Sequence, residues 1–174
     1  MNKVWLVTWV IIILLLGLLI SQINRNPNYI PSARINKPIS NMQLKILNYN
    51  KKTSITKLFP KQVKIVHFWA TWCMTCQIEH EHLLKITKKT KIPWIGIAYK
   101  DDASKITKWL YRLGNPYQHV LLDPLGDLAI SMGVYGTPET FLISADNKII
   151  LRYEGMLNET VWETQILPYI NKES

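Results

Sequence analysis

Residues 69–76 read Trp-Ala-Thr-Trp-Cys-Met-Thr-Cys, and they hold both cysteines of the chain. An apolar run, Val63 to Trp69, precedes them and a helical pattern begins at Cys73, which predicts a strand that delivers a Cys-x-x-Cys pair to the start of a helix. The unpaired amides and dipole of a helix N-terminus favour thiolate over thiol, so Cys73 is the candidate nucleophile. Cys76 returns to the same face nearly one turn later, within disulfide reach, and is the candidate resolving cysteine.

Other roles for the pair are weaker. A structural disulfide gains little from closing so short a loop, because loop-closure stabilisation grows with loop length. A structural zinc site needs two further ligands, and His80 and His82, two apart on a helix, face different ways. The other two histidines that could serve as zinc ligands are His67 and His119. A copper-carrying role with two thiolates and one imidazole remains open.

The chain has room for one domain of about 100–150 residues and something more at the front. Val4 to Ile20 is apolar except at Thr8 and Gly17, which is near the short end of the ~17–25 residues that cross a bilayer as a helix. No small-x-small cleavage site follows. We therefore predict an uncleaved transmembrane signal anchor over residues 1–20, a linker over 21–35 and a folded domain over 36–174.

The formal net charge of +9 does not indicate nucleic-acid binding. The basic residues are mostly scattered lysines, without an arginine-rich stripe or an interleaved aromatic platform. They indicate a solvated face, which could lie near anionic lipid. Basic residues on both sides of the apolar segment leave its orientation undetermined by charge.

The rest of the chain alternates strand and helix patterns. Residues 43–47 are predicted to pair with 54–59 as a hairpin, and the first long helix is expected to place Ile78, Leu83, Leu84 and Ile86 in the core. The other predicted strands are 63–69, 94–98, 119–122, 140–144 and 148–153, and the predicted helices are 73–89, 101–113, 128–132 and 161–170. This order predicts an α/β fold with a mixed sheet covered by helices, and active residues at the carboxyl ends of the parallel strands.

Several polar residues near the cysteines have two interpretations. His67 is either a core histidine hydrogen bonded to backbone or a proton relay for the resolving thiol. Glu79 shares the face of the cysteines, where it is either solvated or opposes thiolate formation at Cys73 and biases the couple toward reductant. Thr137-Pro138 is either an ordinary trans strand start or a cis peptide that leaves the Thr137 backbone free for an extended substrate, with Glu139 as a second acidic group nearby.

With these residues assembled, the chain resembles thioredoxin-fold proteins. It resembles more narrowly the DsbE (also called CcmG) family of membrane-tethered reductants of cytochrome c biogenesis. The broad match rests on residues 68–76 and on Thr137-Pro138. The narrow match rests on Glu79-His80, on residues 99–102 and 114–117, and on residues 133–143, which read Gly-Val-Tyr-Gly-Thr-Pro-Glu-Thr-Phe-Leu-Ile.

The resemblance implies a thioredoxin-like domain held on the periplasmic side of the inner membrane by a single-pass anchor. There it would keep the Cys-x-x-Cys-His cysteines of apocytochrome c reduced, with Cys73 attacking and Cys76 resolving the mixed disulfide. Electrons would come from an integral membrane thiol transporter, and a haem lyase complex is a further candidate partner. No cofactor is expected beyond the redox-active disulfide. Trp72, Glu79, His67 and Glu139 would support the site, and Thr137 and cis-Pro138 would bind substrate.

Two departures from the family pattern concern the chemistry. Met74 replaces the proline that more usually follows the first cysteine, and His67 stands where thioredoxin has a buried aspartate. Two alternative functions remain open: the same reduction of another extracytoplasmic substrate, and copper delivery through Cys73, Cys76 and a histidine. Copper proteins of this fold usually space their cysteines by three residues, which disfavours the second alternative.

Overall fold

The computed structural model describes residues 3–23 and 34–173, with side chains described over 3–18 and 34–172. Helix α1, Lys3–Ile23, runs through the predicted anchor and three residues into the predicted linker. Over the residues whose side chains are described, no helix is both long and apolar enough to cross a membrane. The remainder of the predicted linker, up to residue 33, lies outside the described residues.

Residues 34–173 form a seven-stranded mixed sheet flanked by helices, which confirms the predicted α/β architecture. The strands, in the spatial order β2-β1-β5-β4-β3-β6-β7, are β1 Leu44–Ile46, β2 Lys52–Thr53, β3 Lys64–Trp69, β4 Trp94–Tyr99, β5 His119–Asp123, β6 Glu139–Ile143 and β7 Ile149–Glu154. The pairs β3–β4 and β4–β5 are parallel, and the other pairs are antiparallel. The helices are α2 Met74–Lys89, α3 Ala103–Leu113, α4 Asp127–Met132, α5 Glu159–Val161 and α6 Leu167–Glu173.

Every residue of β3 is buried, because both faces of the sheet are covered. Ile65 and Trp69 pack on one face with residues of α2 and α3. Val66 and Phe68 pack on the other face with residues of α4. Since side chains alternate along a strand, His67 points to the same face as Trp69, toward α2.

The prediction for residues 54–59 was wrong. The short strand β2 pairs with β1, and Ile55–Lys57 forms a 3-10 helix instead of a strand. Ile55 is buried in the core, and the buried Lys64 ammonium donates to the carbonyls of Leu58 and Phe59. These tertiary contacts hold a turn that the local sequence pattern does not show.

The assignment of Ile78 to the core was also wrong, because its side chain is 60% exposed. The buried positions of α2 are Cys76, Glu79, His80, Leu83 and Ile86. These positions follow a helical stripe from which Ile78 is displaced. A polar pair, Glu79 and His80, therefore occupies part of the core-facing surface.

The last helix is interrupted where a single helix over 161–170 was predicted. A π-helical segment, Trp162–Ile166, joins α5 to α6, and Pro168 lies in the first turn of α6. Proline lacks an N–H and clashes with the carbonyl four residues back, and the wider turn just before it accommodates this. Asn158 caps the start of α5, with its Oδ1 accepting from the Val161 amide at 2.9 Å.

Candidate active site

The two cysteines form a disulfide at the carboxyl end of the central strand. Cys73 is the N-cap of α2, and its Sγ accepts a hydrogen bond from the Cys76 amide at 3.1 Å. Cys73 and Cys76 are disulfide bonded with their Cα atoms 5.3 Å apart. Both cysteines are buried, and Cys73 is the more exposed of the two, at 6% against 3% for Cys76.

Asp101 holds the loop between β3 and the disulfide. Its carboxylate accepts from the Thr71 amide at 2.6 Å and from the Thr71 hydroxyl at 3.0 Å. Trp72 follows and is 57% exposed, and its indole N–H donates to the Lys100 carbonyl at 3.1 Å. The loop that follows β4 thus fixes the two residues before the nucleophile.

The Thr137–Pro138 peptide bond is cis. The Thr137 carbonyl oxygen lies 3.5 Å from Cys73 Sγ. A cavity of about 280 Å³ adjoins this peptide and is lined by Tyr135, Gly136, Thr137, Pro138, Glu139, Glu154 and Gly155. Thr137 and Pro138 were predicted to bind substrate. The Thr137 backbone does lie directly against the candidate nucleophile, Cys73.

Glu139 organises the loop that leads to the cis peptide. One carboxylate oxygen accepts from the amides of Tyr135 and Gly136 at 2.6 and 3.1 Å. The other accepts a hydrogen bond from Arg152 Nε at 2.9 Å, and it also lies 2.9 Å from Arg152 Nη2 as an ion pair. Burial raises the pKa of the Glu139 carboxyl, although Arg152 and the two amides act in the opposite direction.

Arg152 is itself buried and joins several parts of the site. Its guanidinium also pairs with Glu154 at 2.8 Å. Its centre lies 4.7 Å from the Tyr135 ring centroid, a cation–π distance. The structure thus ties β7 to the loop before the cis-proline through one cation.

Glu79 is fully buried, so its interpretation as a solvated surface residue was wrong. One carboxylate oxygen accepts from the Leu157 amide at 2.7 Å. The other lies 3.4 Å from Nε2 of His67, which is also fully buried. His67 Nδ1 is hydrogen bonded to the Thr140 hydroxyl at 3.0 Å. The partners of His67 are therefore side chains and not backbone groups.

Aromatic rings pack against this pair. Tyr117 stacks on His67 with ring centroids 6.0 Å apart and on Trp69 at 5.5 Å. Gly96 lies beside His67 in the β3–β4 ladder, and a Cβ at that position would come within 2.8 Å of the Tyr117 ring. The missing side chain of Gly96 therefore makes room for the ring that covers the pair.

His80 and His82 have partners other than the cysteines. His80 contacts the Gly114 carbonyl and Trp109, whereas His82 pairs with Glu159 at 2.5 Å, so the two do face different ways. Among the described residues, no three His, Cys, Asp or Glu side chains are grouped so that they could hold a metal ion. Neither the zinc nor the copper alternative gains support from the arrangement.

Three functional candidates were missed from the sequence: Asp101, Thr140 and Arg152. Asp101 has a signal, because it lies in a loop that follows a parallel strand, where active residues collect. Arg152 also has a signal, as the one charge within the apolar run 149–153. Thr140 has none, because a threonine in a strand is ordinary.

A disulfide at a helix N-terminus, with the carbonyl before a cis-proline against its Cys73 sulfur, defines the class of the protein. It is a thioredoxin-like thiol:disulfide oxidoreductase, in which two cysteines exchange electrons with a substrate thiol or disulfide.

Comparisons with known proteins agree with this class. The Redoxin family model matches residues 28–166. The chain is 40% identical to thiol:disulfide interchange protein DsbE of Yersinia pestis, covering 98% of this chain and 94% of that protein. It is 38% identical to DsbE of Escherichia coli, covering 99% and 96%. The chain belongs to the Redoxin family and, within it, to the DsbE thiol:disulfide interchange proteins.

Solved structures share the fold at lower sequence identity. A putative DsbE from Chlorobium tepidum superposes with a TM-score of 0.67 at 22% identity, covering 80% of this chain and 99% of that one. A secreted thiol-disulfide isomerase from Corynebacterium glutamicum has a TM-score of 0.66 at 18% identity, covering 76% and 85%. The thioredoxin-like fold predicted from the sequence is thereby confirmed.

Proposed function

We propose that the protein reduces the Cys-x-x-Cys-His disulfide of apocytochrome c before haem attachment. The observation that carries the proposal is the Thr137 carbonyl 3.5 Å from Cys73 Sγ, beside a cis-proline and an open cavity. An extended peptide can pair with free backbone there and bring its own sulfur to Cys73. The resemblance to the DsbE family supplies the substrate.

The reaction consists of two exchanges. The Cys73 thiolate attacks one substrate sulfur, so that a mixed disulfide forms and the other substrate sulfur leaves as a thiolate. The Cys76 thiolate then attacks Cys73 Sγ, which releases the first substrate sulfur and closes the Cys73–Cys76 disulfide. Two electrons pass to the substrate, and both of its sulfurs end as thiols once they are protonated.

The resting disulfide must be reduced again before another turnover. We propose that an integral membrane thiol transporter supplies the two electrons by the same exchange chemistry, with no bound cofactor. A haem lyase complex is a further proposed partner, since it would receive the reduced substrate.

We further propose that residues 1–20 anchor the protein in the inner membrane, with the catalytic domain in the periplasm. The apolar sequence from Val4 to Ile20 supports this proposal. Extraction of membranes with alkaline carbonate tests it. An anchored protein stays in the pellet, and release of the full chain into the supernatant would refute the anchor.

The substrate is tested with an oxidised peptide that contains Cys-x-x-Cys-His and with a matched peptide in which alanine replaces that histidine. The reduced full-length protein is expected to reduce the first peptide at least about tenfold faster, a preference of about 1.4 kcal/mol. Cys73→Ser should abolish the reaction. Equal rates with both peptides would favour the alternative of a reductase for another extracytoplasmic substrate.

A further inference from the structure

Exposed lysines of the described domain collect at the end opposite the disulfide. The disulfide lies at the carboxyl end of β3 and the N-terminus of α2, whereas these lysines lie near the amino ends of β3, β4 and β7 or in the last turn of α2. Helix α2 has 16 residues and is therefore about 24 Å long, which separates the two ends. We call this surface the lysine pole, and its residues are Lys37, Lys61, Lys88, Lys89, Lys91 and Lys148.

The chain enters the domain at the lysine pole. The Asn36 amide donates to the Ile149 carbonyl at 2.8 Å, and the Ile149 amide donates to the Lys37 carbonyl at 3.0 Å. Pro38 forms an isolated β-bridge with Lys148. Because Ile149 is the first residue of β7, these contacts fix the segment that follows the proposed anchor to the end of the sheet away from the disulfide.

Negative charge is concentrated at the other end of the domain. Exposed or half-buried carboxylates lie near the carboxyl ends of β4, β5 and β7: Asp101, Asp102, Asp127 and Glu154. Three carboxylates face the lysine pole among the described residues. Asp146 lies in the β6–β7 turn, and Glu159 and Glu163 line a cavity with Lys89. Six lysines therefore outnumber three carboxylates at the pole, and the domain has a positive end and a negative end.

The connection between the proposed anchor and the domain is short. Residues 24–33 separate α1 from residue 34, and a chain of that length spans at most about 40 Å in any conformation. This is about the diameter of a domain of this size. An anchored domain therefore stays close to the bilayer, and the lysine pole is the end to which the tether is attached.

We propose that the lysine pole lies on an anionic phospholipid surface, so that the disulfide end points away from the bilayer. An anionic membrane attracts lysines that come within about a Debye length, about 8–10 Å. The same surface repels the carboxylates at the disulfide end, so both ends favour one orientation. Lipid is favoured over an acidic protein as the partner because the tether enters at this pole. This inference uses the proposed anchor to bring the bilayer near, and it does not depend on the substrate.

The test measures the reactivity of individual lysines in the full-length protein in lipid nanodiscs. One set of discs contains phosphatidylcholine alone, and the other also contains phosphatidylglycerol. Brief acetylation with a water-soluble N-hydroxysuccinimide ester, followed by mass spectrometry, gives a rate for each lysine. Lysine Nζ reacts only when it is accessible and unprotonated, and a nearby anionic surface opposes both conditions. Lys105 is the internal reference, because it is exposed and lies in the first turn of α3, at the disulfide end.

In discs that contain phosphatidylglycerol, acetylation of Lys88, Lys89 and Lys91 should slow at least about fivefold relative to Lys105. In phosphatidylcholine discs, the same ratio should stay within about twofold of its value in the detergent-solubilised protein. In about 1 M salt, the Debye length falls to about 3 Å, and the protection should disappear.

Charge removal gives the matched pair of variants. Lys88→Gln/Lys89→Gln/Lys91→Gln should lose most of the protection at the rest of the lysine pole, whereas Lys105→Gln should keep it. If the triple variant fails to fold, the comparison of the two discs in the wild-type protein decides.

Equal acetylation ratios in the two kinds of disc would overturn the proposal and would leave an acidic protein as the partner of the pole. Slower acetylation of Lys105 than of the lysine pole would also overturn it. Failure of the anchor is distinguishable, because the chain would then not co-elute with phosphatidylcholine discs. Phosphatidylglycerol discs added to the free chain would still test the lysine pole in that case.

Discussion

His80 is held in its neutral form by two opposite partners. Its Nε2–H donates to the Gly114 carbonyl at 3.0 Å, and its Nδ1 accepts from the Trp109 indole N–H at 3.4 Å. Protonation of Nδ1 would set two N–H groups against each other. Burial lowers the pKa of His80 from its ordinary 6.5, although the Gly114 carbonyl acts in the opposite direction.

This arrangement predicts that acid destabilises the fold through His80. Because the folded pKa is lowered, the unfolded chain binds the proton first, so the contribution is full above about pH 6.5 and is lost as the pH falls through the folded pKa. Urea unfolding between pH 5 and 7 should show a slope of at most about 1.4 kcal/mol per pH unit from this residue. His80→Gln should remove that part of the slope and His119→Gln should keep it. An unchanged slope in His80→Gln would contradict the assignment.

Asp101 gives a second prediction at the residue scale. Asp101→Asn leaves at most one good acceptor for the two Thr71 donors and should destabilise the protein by about 1–2 kcal/mol. Exchange of the Thr71 amide hydrogen should accelerate more than the global loss of stability explains, because the loop opens locally.

Asp102→Asn is the matched control for the loop. The Asp102 carboxylate accepts from the Ser104 and Lys105 amides at the start of α3. Neither of these hydrogen bonds involves Thr71. Asparagine is also a good N-cap, so this variant should change stability by only a few tenths of a kcal/mol, at about the level of peptide caps. Equal Thr71 exchange in both variants would show that Asp101 does not hold the loop.

At the scale of elements, β7 and the cis-proline loop depend on one ion pair. Arg152→Met leaves the Glu139 carboxylate buried without its cation, which should cost about 3–5 kcal/mol near neutral pH. The double variant Glu139→Gln/Arg152→Met should recover part of this loss, and denaturant unfolding of the four proteins measures the coupling. Purely additive losses would mean that the two residues act independently.

The same pair predicts a pH effect with a definite sign. The pKa of Glu139 is already raised by burial, and loss of Arg152 removes a group that lowers it. A raised folded pKa means that the stability contribution is present at low pH and is lost as the pH rises through that value. The deficit of Arg152→Met relative to wild type should therefore shrink between about pH 8 and pH 5. A deficit that is constant with pH would indicate lost packing instead.

The elements of the domain were largely predictable, because hydrophobic periodicity is a local signal. Strand β3 and the helix from the cysteines to Lys89 both follow from it. Ile78, which was expected in the core, is exposed, and Glu79, which could have been solvated, is buried. The reason is the buried partners, His67 and the Leu157 amide, which come from distant parts of the chain. No local pattern reports them.

The candidate site was predictable where one motif holds it and not where several elements converge. The cysteines and the cis-proline lie in continuous motifs, and the structure brings them together. The contacts of Asp101, Thr140 and Arg152 span 30, 73 and 13 residues, so they depend on the topology of the sheet. The roles predicted for Trp72, His67 and Glu139 in the reaction stay predictions.

At the scale of the whole molecule, the central claim is that the protein is a dedicated reductant. The measurement that tests it most directly is the equilibrium of the full-length Cys73–Cys76 couple with dithiothreitol and glutathione, read by alkylation of the free thiols. We predict a potential near or below about −270 mV, the value of thioredoxin. A value near about −120 mV, typical of an enzyme that makes disulfides, would contradict the account.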